Sequence, residues 1–144
     1  MLRQLLLGSL LSLGNIAIHA VVMTAAVGTA RLASTWQRRY PQLWLMAVMV
    51  ATVGILLTAH VMEVFTWALL YSFLKVAQPQ ANLLYFAFVN YTTLGYGDIV
   101  PKERWLLLGP MTAMNGVLLF GWSTAVIFEV SMQAHRIRER SGEP

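Results

Sequence analysis

Apolar residues along the chain fall into three long stretches, residues 5–30, 43–74 and 105–134, separated by shorter polar segments. Each stretch exceeds the ~20 residues that an α-helix needs to cross the hydrocarbon core of a bilayer. A backbone in lipid must satisfy its own hydrogen bonds, and the alternating pattern of a β-barrel is absent, so the stretches predict three transmembrane helices. Their few ionisable side chains are His19, His60, Glu63 and Glu129.

The segment between the second and third stretches has a different pattern. Residues 81–91 are mostly apolar but too few to span a membrane, and residues 92–98 are polar and rich in glycine. A short apolar run between two spans is typical of a re-entrant half-helix. The sequence therefore predicts an all-α membrane protein with an outer helix over 43–75, a re-entrant helix over 81–91, a loop over 92–98 and an inner helix over 105–134.

The amino-acid composition agrees with a membrane-embedded chain. Hydrophobic residues make up 58% of the 144 residues and charged residues 11%, against roughly 25% charged residues in soluble domains. This excludes a cytoplasmic enzyme and a nucleic-acid-binding module, and it makes membrane lipids the expected surroundings. No nucleophile–base pair or phosphate-binding loop is visible. The absence of cysteine excludes disulfides and thiol chemistry.

The basic residues predict an orientation. Six of them follow the first and third stretches and four lie on the other side of the membrane, so the positive-inside rule places the 31–42 loop and the C-terminus in the cytoplasm. Residues 1–42 then form an N-terminal helix and loop that starts outside the cell membrane, and residues 135–144 form a short cytoplasmic tail. The six are Arg31, Arg38, Arg39, Arg136, Arg138 and Arg140, and the four are Arg3, Lys75, Lys102 and Arg104.

The first stretch also has the features of a cleavable signal peptide, because Arg3 precedes an apolar run with small residues near Ala20 and Ala26. Cleavage would leave the arginines at 31–39 outside and turn the 76–104 loop inward. Those arginines and the length of the run favour a helix that is retained.

The segment Thr92-Thr93-Leu94-Gly95-Tyr96-Gly97-Asp98 carries the most specific pattern in the chain. A dehydrated potassium ion needs substitutes for its water shell, and rings of backbone carbonyls can supply them. Gly95 and Gly97 tolerate the backbone conformations that aim successive carbonyls to one side. Thr93 adds a hydroxyl oxygen, Tyr96 can point outward to brace the ring, and Asp98 places a carboxylate at the outer mouth.

This segment resembles the selectivity filter of the potassium channel superfamily. The order of span, half-helix, filter and span over residues 43–134 is similar to the pore module of two-helix bacterial members, with 81–91 as the pore helix. The resemblance implies passive potassium conduction, with the permeant ion as the only expected ligand and no other cofactor. One chain has one filter segment and a ring needs four, so it also implies a homotetramer. The potassium-binding residues would be Thr93, Leu94, Gly95 and Tyr96, completed by Gly97.

Further roles follow only from the resemblance. An inner-helix glycine often serves as a gating hinge in this family, which makes Gly116 and Gly121 candidates. Tyr85 and Phe86 lie where relatives carry an aromatic cuff around the filter tyrosine.

The chain also departs from the family pattern. Leu94 replaces the more usual valine or isoleucine, and Val89 stands where some relatives carry a glutamate that pairs with the filter aspartate. The first helix lies outside the two-helix pattern. No span has the regularly spaced arginines of a voltage sensor. The sequence identifies no regulatory partner.

His60 and Glu63 lie three residues apart and share one face of the second helix. Ionisable groups at this depth are functional candidates. The favoured interpretation is that Glu63 hydrogen-bonds the pore helix or the back of the filter, with His60 as its partner. The alternatives are a proton relay or a metal site pooled between chains. They admit a second function class, a non-conducting or sensor membrane protein with a His60/Glu63 ligand site, although the intact filter favours a channel.

The remaining polar residues of the spans allow two interpretations each. Glu129 lines the inner mouth, or it pairs with Arg136 or reaches the membrane interface. Asn115 faces the central cavity or hydrogen-bonds a neighbouring helix. His19 is expected to be packed, and the arginines of the tail are expected to anchor it rather than to bind anionic lipid.

Overall fold

A computed structural model describes residues 1–32 and 40–140, and this part of the chain contains helices and no strand. Within these described residues, three helices are long and apolar enough to cross a membrane, over Leu2–Gly28, Gln42–Leu74 and Glu103–Gln133. The prediction of an all-helical chain with three such spans is confirmed. Arg38 and Arg39, on which the orientation partly depends, lie outside the described residues. The helices are α1 (Leu2–Leu32), α2 (Pro41–Leu74), α3 (Leu83–Tyr91) and α4 (Leu108–Arg140), with a 3₁₀ turn at Glu103–Trp105.

Local capping explains where the second helix ends. Lys75 has a φ of 51°, and its N–H donates to the carbonyl of Ser72 at 3.1 Å while the N–H of Val76 donates to that of Tyr71 at 3.0 Å. This pair of bonds is a Schellman motif, which satisfies the last carbonyls of a helix. The carbonyl of Val76 then accepts the N–H of Lys102 at 2.8 Å, which ties the two ends of the intervening segment together.

The third and fourth helices begin later than the hydrophobic pattern predicts. Helix α3 starts at Leu83 because the side chain of Asn82 accepts the N–H of Tyr85 at 3.0 Å, an N-cap that fixes the first turn. The predicted inner helix starts at 108 rather than 105, because Trp105 belongs to the 3₁₀ turn. Pro110 lies in the first turn of α4, where its missing N–H has no intrahelical partner to lose.

The chain divides into two compact units, the first comprising residues 1–18 and 60–120 and the second the described parts of 19–59 and 121–144. In the second unit, His19 is fully buried, lies 3.0 Å from the hydroxyl of Ser123 and packs against the Trp122 ring at 6.0 Å between centroids. The first unit contains α3 and the segment that follows it. Its hydrophobic core brings together Val64, Trp67, Ala68, Tyr71, Val76, Phe86, Ala87, Tyr91, Trp105, Leu108 and Met111.

Candidate functional site

Every second residue of the segment 93–97 has a positive φ. Thr93 has a φ of 61°, Gly95 of 58° and Gly97 of 78°, whereas Leu94 and Tyr96 are not in the positive-φ region. In an extended strand, successive peptide groups face opposite ways. Residues that alternate between positive and negative φ can turn the peptide groups to the same side, so this backbone favours a row of carbonyl oxygens on one side of the chain.

Thr93 is the member of this row that the glycine pattern does not reveal. A β-branched residue at positive φ is a conformational outlier, which costs on the order of 1–3 kcal/mol unless the surroundings hold it. The end of α3 does so, since the N–H of Thr93 donates to the carbonyl of Asn90 at 3.0 Å and that of Leu94 to the carbonyl of Val89 at 2.9 Å. The side chain of Val89 is buried, so this residue holds Leu94 through its backbone carbonyl.

The side chains of the segment lie at the surface of the single chain. Leu94 is 54% exposed and Tyr96 67% exposed, and all residues from 92 to 98 are in the exposed class. The predicted bracing by Tyr96 is therefore not made within one chain.

Asp98 is held by the side chain of Tyr85. The Tyr85 hydroxyl donates a hydrogen bond to the Asp98 carboxylate, and this bond is the main cause that raises the pKa of Tyr85 above its ordinary value. The N–H of Ile99 also donates to Asp98 Oδ1 at 3.1 Å. Phe86 points into the core instead, with its ring 5.2 Å from that of Tyr71. The two candidates for an aromatic cuff thus have different surroundings.

Glu63 lies behind the end of α3 and contacts its last residue. The Tyr91 hydroxyl donates to Glu63 Oε2 at 2.5 Å. His60 Nδ1 lies 3.2 Å from the same oxygen and 2.9 Å from the Tyr91 hydroxyl. Glu63 and Tyr91 are each 1% exposed. We call these three residues the Glu63 cluster.

The Glu63 cluster explains how a carboxylate is accommodated in an apolar span. A charged group at the centre of a bilayer costs about 2.5–3.5 kcal/mol on insertion scales, and hydrogen bonds to it offset part of that cost. The ring of His60 also packs on Phe120, 4.6 Å between centroids. Sequence reasoning selected Glu63 and His60 but not Tyr91. The available signal was a tyrosine at the last position of the apolar run 81–91.

The two candidate hinge glycines have different surroundings. A Cβ added at Gly116 would overlap the carbonyl oxygen of Tyr91, whereas one added at Gly121 would meet nothing within 4 Å. Gly116 is therefore required for close packing of α4 against the end of α3. A hinge at either position stays a prediction.

A second polar contact joins the same three helices nearer the start of α4. The hydroxyls of Tyr71 and Thr112 lie 2.6 Å apart, and the hydroxyl of Thr112 donates to the carbonyl of Leu108 at 2.8 Å. The Asn90 amide donates to the carbonyl of Phe86 at 2.9 Å and lies 3.5 Å from the Tyr71 hydroxyl. These bonds fix α3 between α2 and α4.

Comparison with protein families identifies the module that these contacts build. The model of the ion channel family matches residues 59–133, just over half of the chain. The chain belongs to this ion channel family. The matched region contains the Glu63 cluster and the segment 92–98, and it leaves α1 outside. No curated protein and no solved structure matches the chain.

Membership of the ion channel family has direct consequences. It points to ion conduction rather than catalysis, and together with the three apolar helices it fits a multi-pass membrane protein. Domains of this kind generally form oligomers.

Proposed function

We propose that this ion channel is a homotetramer that conducts potassium passively and selectively through a filter formed by residues 93–97 of four chains. In this arrangement α2 is the outer helix, α3 the re-entrant pore helix and α4 the inner helix of a pore module over 43–134. The positive φ at Thr93, Gly95 and Gly97 carries the proposal, because this backbone favours a row of carbonyls of the kind that can replace the water shell of potassium.

The four-fold assembly follows from what one chain lacks. A single chain supplies one row of carbonyls, which can surround a dehydrated ion only when further rows face it. The exposure of Leu94 and Tyr96 in one chain leaves apolar side chains that neighbouring chains would cover. Domains of this family generally oligomerise. Each chain has one filter segment, so a ring of four segments requires four chains.

Two electrostatic features favour a cation at this position. Helix α3 ends at Tyr91, directly before the filter segment, so the negative end of its dipole lies beside the ion path. The Asp98 carboxylate follows Gly97 and lies in the exposed part of the segment, where it would concentrate cations at the outer mouth.

The proposed topology places the N-terminus outside the cell membrane and the C-terminus in the cytoplasm. Within the first unit, α1 and α4 run in the same direction, because Gln4 contacts Leu107 while Asn15 contacts Asn115. Two parallel spans separated by one crossing helix fit this topology. An N-terminal tag should be accessible only from outside and a C-terminal tag only from the cytoplasm. An N-terminal tag lost on export would support the signal-peptide alternative.

Flux measurements with purified protein in liposomes test the function. We expect a potassium gradient to drive cation flux that barium blocks, and a sodium gradient of the same size to drive little. Protein-free liposomes and liposomes with the Gly97→Ala variant are the controls. Equal potassium and sodium flux would contradict selectivity, and no flux in a correctly inserted tetramer would contradict the channel.

The alternative function, a non-conducting sensor with a ligand site at His60 and Glu63, has less support. Glu63 Oε2 already accepts the hydroxyl of Tyr91 at 2.5 Å, so a ligand would have to displace a buried hydrogen bond. That alternative predicts a response to an added divalent ion such as zinc without potassium flux.

A further inference from the structure

A buried amide pair joins α1 to α4. Asn15 Nδ2 donates to Asn115 Oδ1 at 3.1 Å, and both residues are 1% exposed. Asn15 Oδ1 accepts the hydroxyl of Thr66 in α2 at 2.9 Å. The Asn115 oxygen also accepts the indole N–H of Trp67 at 3.0 Å. One pair of side chains therefore links all three long helices.

Such a pair specifies a register. An amide buried among apolar side chains is costly unless its partners are in place, so α1 and α4 have one favourable alignment. The same alignment recurs nearer their N-termini. The side chain of Gln4 accepts the N–H of Leu107 at 2.8 Å, and a Cβ added at Gly8 would lie 3.4 Å from the Cβ of Met111.

The alignment matters because Asn115 is next to Gly116. Gly116 packs on the carbonyl of Tyr91 so closely that a Cβ would not fit, and Tyr91 is the last residue of α3 before the filter segment. The side chain of Tyr91 is held by Glu63 and its backbone by Gly116. A shift of α4 along its axis would remove the second of these contacts.

We propose that α1 is a fixed part of the conducting unit and that Asn15 is a positioning residue for the filter. Through Asn115, it holds Gly116 against the end of α3 and so sets the inner end of the carbonyl row. The inference rests on the proposed potassium channel function, and it assigns a role to the helix that lies outside the matched family region.

The first experiment asks whether α1 stays docked while ions pass. The chain has no cysteine, so a Gly8→Cys/Met111→Cys pair introduces the only thiols, at a Cβ separation close to that of a disulfide, ~3.8 Å. We expect an intrachain bond on mild oxidation, detected by mass spectrometry, and the same potassium flux before and after reduction. The matched control is Gly14→Cys/Met111→Cys, because a Cβ at Gly14 meets nothing within 4 Å; it should not cross-link.

Two outcomes of this experiment would overturn the proposal. If the 8/111 pair cross-links no better than the control pair, α1 is not docked on α4. If oxidation stops the flux and reduction restores it, α1 has to move for conduction and is a gate rather than a fixed support.

The second experiment tests the positioning role through selectivity. Asn15→Ala and Asn115→Ala should each lower the potassium-over-sodium flux ratio several-fold. The double variant should lower the ratio by less than the two single effects combined, because both substitutions remove the shared bond between Asn15 and Asn115. Ser9→Ala, at an exposed position of α1, is the control and should keep the parent ratio.

The readout separates positioning from simple stability. If Asn15→Ala lowers the thermal stability of the tetramer but leaves the flux ratio of the surviving tetramers unchanged, Asn15 is only structural and the inference is wrong. A parent protein without potassium flux would instead overturn the proposed function, and the inference with it. A selective parent with a selective Asn15→Ala variant overturns the inference alone.

Discussion

The segment 92–98 and the Glu63 cluster lie next to each other, yet different atoms carry their chemistry. The segment leaves its side chains exposed, with Tyr96 67% exposed, and its distinctive feature is the backbone, with three positive φ values. The cluster buries its side chains, and its contacts join one carboxylate, one imidazole and one phenol. The proposed filter would need further chains to be complete, whereas the contacts of the Glu63 cluster are made within one chain.

This difference separates two kinds of defect. Substitutions in the segment should remove conduction while the single chain still folds and inserts, because few intrachain contacts are lost. Substitutions in the cluster should first weaken the packing of α3 and only then affect ion selectivity. The variants below test this distinction, beginning with the largest expected effect.

Gly95→Ala and Gly97→Ala should abolish potassium flux without preventing membrane insertion. At φ values of 58° and 78°, a side chain is disfavoured by about 1–2 kcal/mol per residue, and four chains would bear that strain around one ion path. Proteoliposome flux and membrane fractionation measure the two properties.

Gly14→Ala is the control for these variants, because it adds a methyl group to a helix at a position with no neighbour within 4 Å. It should conduct like the parent. Selective potassium flux in both Gly95→Ala and Gly97→Ala would rule out the filter assignment.

Gly116→Ala should destabilise the protein more than Gly121→Ala. The added methyl group at 116 overlaps a backbone carbonyl, which cannot move as a side chain can, whereas the space at 121 is open. Overpacking of this kind costs about 1–3 kcal/mol. Thermal unfolding of the purified protein in detergent should therefore show a lower midpoint for Gly116→Ala only.

The variants Gly116→Ala and Gly121→Ala also test whether either glycine is a gating hinge. If Gly121→Ala keeps parental stability but changes the fraction of time the channel is open in bilayer recordings, Gly121 acts as a hinge. Equal stability of the two variants would show that the close contact of Gly116 with Tyr91 is absent.

Glu63→Ala should weaken the tetramer and lower its potassium-over-sodium flux ratio. The substitution removes the carboxylate that accepts the hydrogen bond of the buried Tyr91 hydroxyl. This should lower the free energy of unfolding by about 1–3 kcal/mol. Glu63→Gln retains an oxygen that can accept this hydrogen bond and should be milder. His60→Ala should resemble a weaker form of Glu63→Ala, because His60 Nδ1 lies within hydrogen-bond distance of both Glu63 Oε2 and the Tyr91 hydroxyl.

Zinc distinguishes support from metal binding. At a metal site, Glu63→Ala and His60→Ala would both abolish a response to zinc while the stability and selectivity of the tetramer stayed at parental values. If Glu63→Ala matches the parent in stability and in flux ratio, the support hypothesis is wrong.

The hydrophobic pattern was sufficient for the three spans but not for their ends. The spans follow from lipid alone, which demands long apolar helices. The start of α3 depends on one side-chain bond from Asn82, and the end of α2 depends on a lysine at positive φ. Such local bonds change a boundary by a few residues without altering hydrophobicity.

For the site, the motif indicated Gly95 and Gly97 but neither the conformation of Thr93 nor the partners behind it. The contact of Tyr91 with Glu63 joins residues 28 positions apart, and that of Asn15 with Asn115 joins residues 100 apart. One sequence contains no information on which polar residues of separate spans meet. Their types identify them as candidates, and only packing pairs them.

Tyr85→Phe should have the smallest effect, because it removes one hydrogen bond at a partly exposed site. The Asp98 carboxylate raises the pKa of Tyr85 above 10.0. A raised pKa means that the bond is fully present below the ordinary value and is lost as the pH rises through the raised one. The parent should therefore differ from Tyr85→Phe in the persistence of potassium current near neutral pH. That difference should be lost in strongly alkaline solution, once the pH has risen through the raised pKa of Tyr85. Bilayer recordings at the two pH values measure this, with Tyr40→Phe, at an exposed tyrosine outside this segment, as the control. If the difference between parent and Tyr85→Phe is the same at both pH values, the effect comes from packing of the ring rather than from its hydroxyl.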